Sequence, residues 1–369
     1  RTSIRSARAP NRKACDVKAA VRASVRATDL NVSSNAMRPT LVVDDFGPAD
    51  PRVRHLVVGN GDSDAPGGGI AEEVVRLLGL VQRVYADFGL QFEAKLATRP
   101  PEFLGEARIA FDDMCDRSPV GEVEVAGGSF KVWQPSNWKV FYENLHDTMH
   151  ANVTHESSYV AAREQAEDYG SMPLELHIMD GNGEPYGFWE KLDLYAFDNG
   201  HGYMEGIFNP GAIETDPITK AHYETLKEAY GEEKALNILG ENRHNSIIYG
   251  SGSPHTVFQQ FRVIRPVAVD RTHVEIQLFR LKGAPDDIYK RGLMYANLIN
   301  SPSSNVMPDD IEVYGRCQEG NKTKGGEWIS MHRYDGTDKP IEGGMVATNG
   351  TSELPMRNQF RAWRRFMAP

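Results

Sequence analysis

Two histidines and an aspartate lie close together in the middle of the chain, in the segment NWKVFYENLHDTMHANVTHE (137–156). They are Asp147, His150 and His155. Two imidazoles and one carboxylate are the ligand set of the open-faced non-haem iron(II) sites that activate dioxygen. These residue types indicate a metal centre, and an oxygen-activating enzyme is the leading hypothesis.

The spacing of these residues restricts the shape of the helix that carries them. Each residue of an α-helix advances by about 100°, so Asn144, Asp147 and His150 would share one face. His155 would lie about 140° from His150 on an unbroken helix. We therefore predict that the helix bends, loosens or ends after His150. The spacing also differs from the H-E-x-x-H pattern, which disfavours a zinc peptidase.

The ligand that completes such a site must come from elsewhere, and Asp309 and Asp310 are the candidates. They follow an irregular stretch, NSPSSNVMP (300–308), and open an amphipathic pattern that predicts a helix. Aspartates at a helix start commonly cap free N–H groups and complement the helix dipole. Capping and metal ligation both stay open for this pair, and one aspartate could do each.

The composition excludes several classes of protein. The 369 residues can form a large core, and the formal net charge of −10 argues against a nucleic-acid-binding protein, which needs a basic face. No apolar run reaches the length of about 18 residues that spans a membrane. Cys15, Cys115 and Cys317 form no C-x-x-C pair, so a reducing cytoplasm is the simplest interpretation.

The first 99 residues differ from the rest of the chain. Residues 1–26 are rich in arginine and poor in acids, and residues 27–69 are rich in Asp, Pro, Gly, Asn and Ser. Such a start can be a transit peptide, but we prefer a disordered or mis-assembled leader, and we expect the region to be partly disordered. Apolar residues recur at helical spacing over 70–90 and predict a helix there.

From residue 101 onward the pattern predicts mixed strands and helices. We predict strands at 127–134 and 174–180 and a long antiparallel hairpin from 258–269 and 273–281. Strands mixed with long helices without regular alternation indicate an α+β fold with an antiparallel sheet. The predicted helices are 137–152, 217–239, 284–299, 308–319 and 353–367.

The segment NWKVFYENLHDTMHANVTHE resembles the catalytic motif of the large subunits of Rieske-type aromatic-ring-hydroxylating oxygenases, which has the form NWK…EN…D…H…H. PDDIEVYGRCQEG (308–320) resembles the carboxylate-ligand segment of that family, and 100–124 and 357–367 are similar to its flanks. The resemblance spans Pro100 to Met367. It implies a helix-grip α+β fold in which helices and an antiparallel sheet enclose a mononuclear iron site.

The resemblance also implies roles for individual residues. His150 and His155 match the histidine ligands of iron(II), and Asp310 matches the carboxylate ligand. Asp147 matches the acid that connects the iron to the electron-donating cluster of a neighbouring subunit, and we expect it to accept a hydrogen bond from His150 and orient it. Asn144 matches a polar residue beside the iron.

The implied reaction is the O₂-dependent hydroxylation of an aromatic ring, and the substrate would be a small aromatic compound such as an aromatic acid. Electrons would come from NAD(P)H through a ferredoxin and reductase chain. The implied assembly is a homotrimer or an α3β3 complex, in which the cluster of one subunit serves the iron of the next.

One feature departs from the family pattern. Its large subunits carry a domain whose [2Fe–2S] cluster takes two Cys and two His ligands, in C-x-H and C-x-x-H motifs. This sequence contains neither motif, since Cys15 has no histidine nearby and His55 stands alone. We therefore divide the chain into an atypical region, 1–99, and a catalytic domain, 100–369. Electrons would come from the cluster of another subunit or protein, so turnover by this chain alone is doubtful.

Two other functions fit parts of the pattern. A helix-grip fold without a metal would be a non-catalytic module that binds an apolar ligand in its cavity. A zinc hydrolase would hold zinc tightly and act without O₂. Metal analysis of the purified protein distinguishes the three hypotheses.

The other histidines give weaker signals. We expect His146 to point away from the Asp147 and His150 face, in a solvent-facing or hydrogen-bonding role, and His177 to be a core residue of a strand. His201 and His244 lie in loop-like sequence, where lining a pocket is the less favoured alternative. The histidines without a local signal are His55, His222, His255, His273 and His332. Candidate pocket or core residues are Phe141, Tyr142, Met149, Phe188, Trp189, Tyr203, Met204, Phe208, Tyr249, Phe258, Leu293 and Asn297.

Overall fold

The computed structural model describes residues 103–206, 211–250, 252–323, 325 and 328–368, together with the backbone of two short antiparallel strands. These strands are β1 (Thr40–Leu41) and β2 (Leu56–Val57). Apart from these strands, two predictions concern residues outside the described ranges: the helix over 70–90 and the partial disorder of region 1–99.

Two antiparallel sheets form the centre of the fold. The strands are β3 (Val123–Gln134), β4 (Asp193–Phe197), β5 (Gly202–Glu205), β6 (Arg243–Ile247), β7 (Gly252–His255), β8 (Gln260–Ala268), β9 (Arg271–Leu281), β10 (Lys339–Ile341) and β11 (Gly344–Ala347). One sheet has the order β3-β9-β8-β7 and the other β10-β11-β4-β5-β6. A bridge between Ile248 and Gly252 connects β6 to β7, so the two sheets are continuous at this point.

Helices surround these sheets. They are α1 (Ile109–Asp116), α2 (Trp138–His146), α3 (Thr148–Thr154), α4 (Glu156–Tyr169), α5 (Leu174–Asp180), α6 (Tyr186–Trp189), α7 (Ala212–Thr215), α8 (Pro217–Tyr230), α9 (Glu232–Gly240), α10 (Asp286–Tyr295), α11 (Met307–Gly320) and α12 (Leu354–Met367). Short 3₁₀ turns occur at Gly105–Arg108, Gly181–Gly183 and Asp198–Gly200, and a π turn, Ala296–Asn300, extends α10. No helix in the described ranges is long and apolar enough to cross a membrane.

The long hairpin predicted from the sequence is confirmed as β8 and β9. Arg262 pairs with Ile276 and Ile264 with Val274, in the alternating register of an antiparallel ladder. The strand predicted at 127–134 is also confirmed, within β3. Together with the surrounding helices, these strands confirm the α+β fold class.

The strand predicted at 174–180 is wrong, because this segment forms helix α5. Leu174, Leu176 and Ile178 alternate like the residues of a strand, but short apolar runs do not distinguish strand from helix. Leu, Glu and Met favour helix, and Pro173 begins the helix with φ −65°. The helix packs on α4. A strand at this position would instead have needed a neighbouring strand of a sheet to pair with.

The four helices predicted from residue 217 onward are confirmed, and one of them is interrupted. The helix predicted over 217–239 is divided at Gly231, whose φ of 86° ends α8 before α9 begins. Positive φ favours glycine because it has no Cβ. The helices predicted at 284–299, 308–319 and 353–367 correspond to α10 with its π turn, α11 and α12.

A cluster of aromatic rings holds α2 against the rest of the molecule. The Trp138 ring centroid lies 5.2 Å from that of Tyr249 and 5.7 Å from that of Trp363 on α12. Tyr142 is fully buried and donates a hydrogen bond to the carbonyl of Ile248 at 3.1 Å. Burial of each large side chain contributes on the order of 1.5–3 kcal/mol, which fixes the helix that leads into the HDTMH segment.

Candidate metal centre

The helix that was predicted to run from 137 to 152 is broken at Asp147. The side chain of Asn137 caps α2 by accepting the N–H of Lys139 at 3.2 Å, and the helix ends at His146. Asp147 has extended backbone angles, φ −90° and ψ 99°. Its carboxylate accepts the N–H of Met149 at 3.1 Å and so caps the next helix, α3. The break at Asp147 therefore precedes His150 and was not predicted. The predicted end of the helix after His150 is confirmed, because α3 ends at Thr154.

The second helix is short and ends at the second histidine. His155 has φ −102° and ψ 24°, and α4 begins at the next residue. The imidazole rings of His150 and His155 lie 5.5 Å apart, centroid to centroid, with 75° between their planes. The two rings face a common point because α3 has its own axis, independent of α2.

The carboxylate of Asp310 reaches the same point from α11. Its Oδ1 atom lies 3.7 Å from Nε2 of His150 and 3.4 Å from Nε2 of His155. For metal–ligand bonds of about 2.1 Å, ligands at right angles stand about 3 Å apart, so a small contraction would bring the three atoms around one ion. Neither Asp309 nor Asp310 makes a side-chain capping bond at the start of α11.

Asp309 lies on the other side of the His155 ring. Its Oδ2 is 3.6 Å from Nδ1 of His155, and both atoms are buried without a hydrogen-bond partner within the described ranges. Burial lowers the pKa of His155, but the hydrogen bond and charge of Asp310, with the charge of Asp309, outweigh it and raise the pKa overall. A carboxylate beside Nδ1 favours a proton on that nitrogen, which leaves the Nε2 electron pair for a metal.

Asn144 lies between two of the converging atoms. Its Nδ2 is 2.9 Å from Nε2 of His150 and donates a hydrogen bond to Oδ1 of Asp310 at 3.1 Å. These are the electron pairs that a metal ion would use, so the amide stands beside the metal position. The donor set of two imidazoles and a carboxylate, with the unpartnered atoms around His155, fits a ferrous ion.

His150 is oriented by a backbone oxygen. Its Nδ1–H donates to the carbonyl oxygen of Asp147, whereas the Asp147 carboxylate stays 3.9 Å away. The expectation that this carboxylate accepts the bond is therefore wrong, because the carboxylate is used to cap α3. The side chain of Asp147 is 31% exposed, and its Oδ1 lies 3.9 Å from Nη2 of Arg333.

A cavity of about 700 Å³ adjoins these residues, and all of Asn144, Asp147, His150, His155 and Asp310 line it. Its wall also contains polar residues that sequence reasoning missed or ranked low, namely Arg117, His222, His244, His255, Arg262 and Arg291. Several of them lie on β6, β7 and β8. Their assembly depends on strand register, and no local pattern in the sequence marks it.

The other histidines have mixed outcomes. His146 is buried and its Nε2–H donates to the carbonyl of Asn245 at 2.8 Å, which confirms a hydrogen-bonding role and excludes a solvent-facing one. His201 is buried and hydrogen-bonded to backbone atoms, and it does not line the cavity, whereas His244 does. His177 is exposed on α5, so its prediction as a core residue of a strand is wrong.

The aromatic candidates divide between the cavity and the core. Phe208 lies outside the described residues. Phe141, Phe188, Trp189, Met204 and Phe258 line the cavity, Tyr142, Tyr203 and Tyr249 are buried in the core, and Met149, Leu293 and Asn297 belong to neither set.

Comparison with known proteins agrees with the fold and with the arrangement of these side chains. A family model described as ring hydroxylating alpha subunit (catalytic domain) matches residues 122–368, and the chain belongs to this family. Members of the family are non-haem iron oxygenases, and in this chain His150, His155 and Asp310 form a group that could hold a metal ion.

Two relatives are similar in sequence to the chain over part of their length. The chain is 32% identical over 221 residues to toluate 1,2-dioxygenase subunit alpha of Pseudomonas putida, covering 59% of this chain and 46% of that protein. It is 29% identical over 239 residues to the 2-halobenzoate 1,2-dioxygenase large subunit of Burkholderia cepacia, covering 63% and 48%. The chain thus spans about half the length of these relatives.

A solved structure shows the same fold. Naphthalene 1,2-dioxygenase with indole bound in the active site aligns with a TM-score of 0.55 and 21% identity, covering 73% of this chain and 60% of that chain. This likeness, together with the two antiparallel sheets and the enclosing helices, confirms the helix-grip architecture expected from the sequence.

Proposed function

We propose that this chain is the catalytic part of an aromatic-ring-hydroxylating oxygenase that holds one ferrous ion between His150, His155 and Asp310. The observation that carries the proposal is the approach of these three side chains, with ligand atoms within 4.8 Å of one another, at the wall of a large cavity. His150, His155 and Asp310 would leave part of the coordination sphere of a ferrous ion open, and the ion would supply the chemistry of dioxygen activation.

The surrounding residues prepare the ligand atoms for this role. The backbone oxygen of Asp147 accepts the Nδ1–H of His150, and the carboxylate of Asp309 lies beside Nδ1 of His155. Each contact favours a proton on Nδ1 and leaves Nε2 unprotonated. Asn144 keeps a hydrogen-bond donor at the same point. The apolar part of the cavity wall, including Phe141 and Ile288, would exclude water and hold an aromatic ring.

The proposed substrate is an aromatic acid. The relatives at 32% and 29% identity are named for toluate and 2-halobenzoate, both aromatic carboxylates. The proposed electron source is the [2Fe–2S] cluster of another subunit or protein, fed by a ferredoxin and reductase from NAD(P)H in a homotrimer or α3β3 assembly. Asp147, whose carboxylate is partly exposed and does not bind His150, is the proposed connection to that cluster.

Metal analysis of the full chain tests the proposal. The chain is loaded with Fe(II) without oxygen, and its iron content is measured after desalting, beside His150→Ala and Asp310→Ala variants. Glu312→Gln is the matched control, because Glu312 lies on the same helix as Asp310 but is exposed and paired with Arg316. We expect near-stoichiometric iron in the wild type and the control, and little in the other two.

Other outcomes favour the other hypotheses. A chain that takes up no iron but still binds toluene would be a non-catalytic apolar-ligand module, and tight zinc with O₂-independent activity would indicate a hydrolase. As a test of the reaction, iron-loaded chain is mixed with a reduced, cluster-bearing large subunit, benzoate and isotopically labelled O₂. Label in the hydroxylated product is the expected result, and label from water instead would contradict the proposal.

A further inference from the structure

Three arginines line the cavity, and two of them have acidic neighbours. Arg291 forms an ion pair with Asp216. Arg117 donates to the carbonyl of Glu241 at 2.8 Å and experiences the charges of Asp113 and Glu241. These two cations are compensated by the protein itself.

The third arginine, Arg262 on β8, experiences the charge of one carboxylate, Asp310, but does not form an ion pair with it. It is 3% exposed, and in the described part of the chain no carboxylate lies within 4.0 Å of its guanidinium. Its Nη1 donates to Oδ1 of Asn245 at 2.9 Å and approaches Oγ of Ser253 at 3.5 Å, and both acceptors are neutral. Its Nε is buried without a hydrogen-bond partner. A buried cation is costly unless a counter-charge is present, so this position suits an anion from outside the chain.

Neutral imidazoles stand beside this cation. His244 and His255 line the same cavity, with ring centroids 6.2 Å apart. Burial first, and then the charge of Arg262, lowers the pKa of His255 well below its usual value; burial also lowers the pKa of His244 to about 4. His255 is therefore neutral near pH 7, and its buried Nδ1 has no partner within the described ranges. One nitrogen of a neutral imidazole can donate a hydrogen bond to an anion.

An aromatic surface adjoins the same group of residues. The rings of Phe258 and Tyr295 stack at 3.7 Å, with 8° between their planes, and the His255 ring lies 5.3 Å and 5.4 Å from them. Asp310, at the metal site, is near enough for its charge to act on Arg262. The cavity thus offers a cation, a neutral donor and aromatic rings within the space that also contains the metal ligands.

We propose that Arg262 and His255 form an anion-binding site that holds the carboxylate of an aromatic acid inside the cavity. The site would fix which part of the aromatic ring faces the His150, His155 and Asp310 cluster. This orienting role rests on the proposed function, whereas the binding of the carboxylate does not depend on iron.

Paired probes on the iron-free full chain test the site. Benzoate and nitrobenzene have nearly the same planar shape, but only benzoate is charged, and calorimetric titration measures the affinity of each. We expect the wild type to prefer benzoate. Arg262→Met should weaken benzoate binding by about tenfold to a hundredfold, the effect of a charge-assisted hydrogen bond, and leave nitrobenzene binding unchanged. His255→Leu should weaken benzoate binding by less.

The controls separate recognition from folding. Arg262→Lys keeps a positive charge and should recover part of the benzoate affinity. Arg280→Gln removes an exposed arginine of the neighbouring strand β9, which pairs with Asp286 on α10, and this variant should bind both probes like the wild type. If Arg262→Met does not fold, the preference of the wild type for benzoate over nitrobenzene and the benzoate affinity of Arg262→Lys still test the proposal. Equal binding of both probes by the wild type, or equal loss of both in the variants, would overturn the proposal. If the wild type takes up no iron but still prefers benzoate, the proposed oxygenase function would be contradicted, whereas the proposed anion-binding site would stand.

Discussion

The Oδ1 atom of Asp310 lies 3.4 Å from Nε2 of His155, although strands β4 to β9 separate the two residues in the chain. His155 ends a two-turn helix, and Asp310 lies in the first turn of α11. The two short helical ends meet because the sheets between them return the chain to its starting side. Any change that shifts one helical end should therefore alter the distances between the ligand atoms at the metal position.

The two neighbouring aspartates should differ in their effect on metal affinity. We expect Asp310→Asn to weaken Fe(II) binding by more than about a hundredfold, because it removes the charge of a ligand oxygen. Asp309→Asn should cost only about tenfold to a hundredfold, as is usual for a residue that supports a ligand. Competition with a chelator of known affinity measures both. Equal losses in the two variants would mean that Asp310 is not the carboxylate ligand.

The break between α2 and α3 should depend on the capping ability of Asp147 and not on its charge. Asp147→Ala is expected to lower the free energy of unfolding by about 1 kcal/mol, because the N–H of Met149 loses its acceptor. Asp147→Asn should retain stability, since asparagine is an equally good cap. Urea unfolding of both variants measures the difference. A large loss in Asp147→Asn would show that the charge, through Arg333, matters more than the cap.

His201 should make folding sensitive to acid. Burial lowers its pKa to about 4 and outweighs the bond to Phe103, so the folded protein binds this proton less readily than the unfolded chain, whose histidine pKa is near 6.5. The stabilisation by neutral His201 is therefore fully present above pH 6.5 and is lost as the pH falls toward 4. Its Nδ1 accepts the N–H of Tyr249 at 3.0 Å, and protonation would remove that acceptor.

The variant His201→Gln tests this pH dependence. The free energy of unfolding of the wild type should exceed that of the variant most at neutral pH, and the difference should shrink by roughly 3 kcal/mol toward pH 4. Denaturant unfolding at several pH values provides the measurement. His177→Gln, at an exposed histidine, controls for the loss of an imidazole as such. A difference between wild type and His201→Gln that is constant with pH would contradict the prediction.

Gly202 should not tolerate a side chain. A Cβ at this position would lie 2.4 Å from the carbonyl oxygen of Tyr195 on the paired strand, and backbone atoms cannot move away cheaply. We expect Gly202→Ala to lower the free energy of unfolding by roughly 3 kcal/mol. Gly187→Ala is the control, because nothing lies within 4 Å of its Cβ position. Thermal unfolding of both variants measures the effect, and equal melting temperatures would contradict it.

The residues that show periodic or local patterns could be predicted from the sequence. The alternation of β8 and β9 indicated their hairpin, and the irregular stretch before Asp309 and Asp310 indicated the start of α11. His150, His155 and Asp310 could be named as ligand candidates from residue type and family resemblance, and the structure places them together. The hairpin and the start of α11 depend on neighbours in the chain, which the sequence displays directly.

Other features depended on contacts between distant segments. The side chain of Asp147 could have faced His150 or capped α3, and only the packing of the two helices decided for the cap. Segment 174–180 became a helix because α4 was available to pack against it. Arg262, His244 and His255 meet because strand register brings β6, β7 and β8 side by side. The sequence by itself determined which chemical groups this protein has, and the tertiary structure decided which of them meet, because hydrogen bonds and packing act through space and not along the chain.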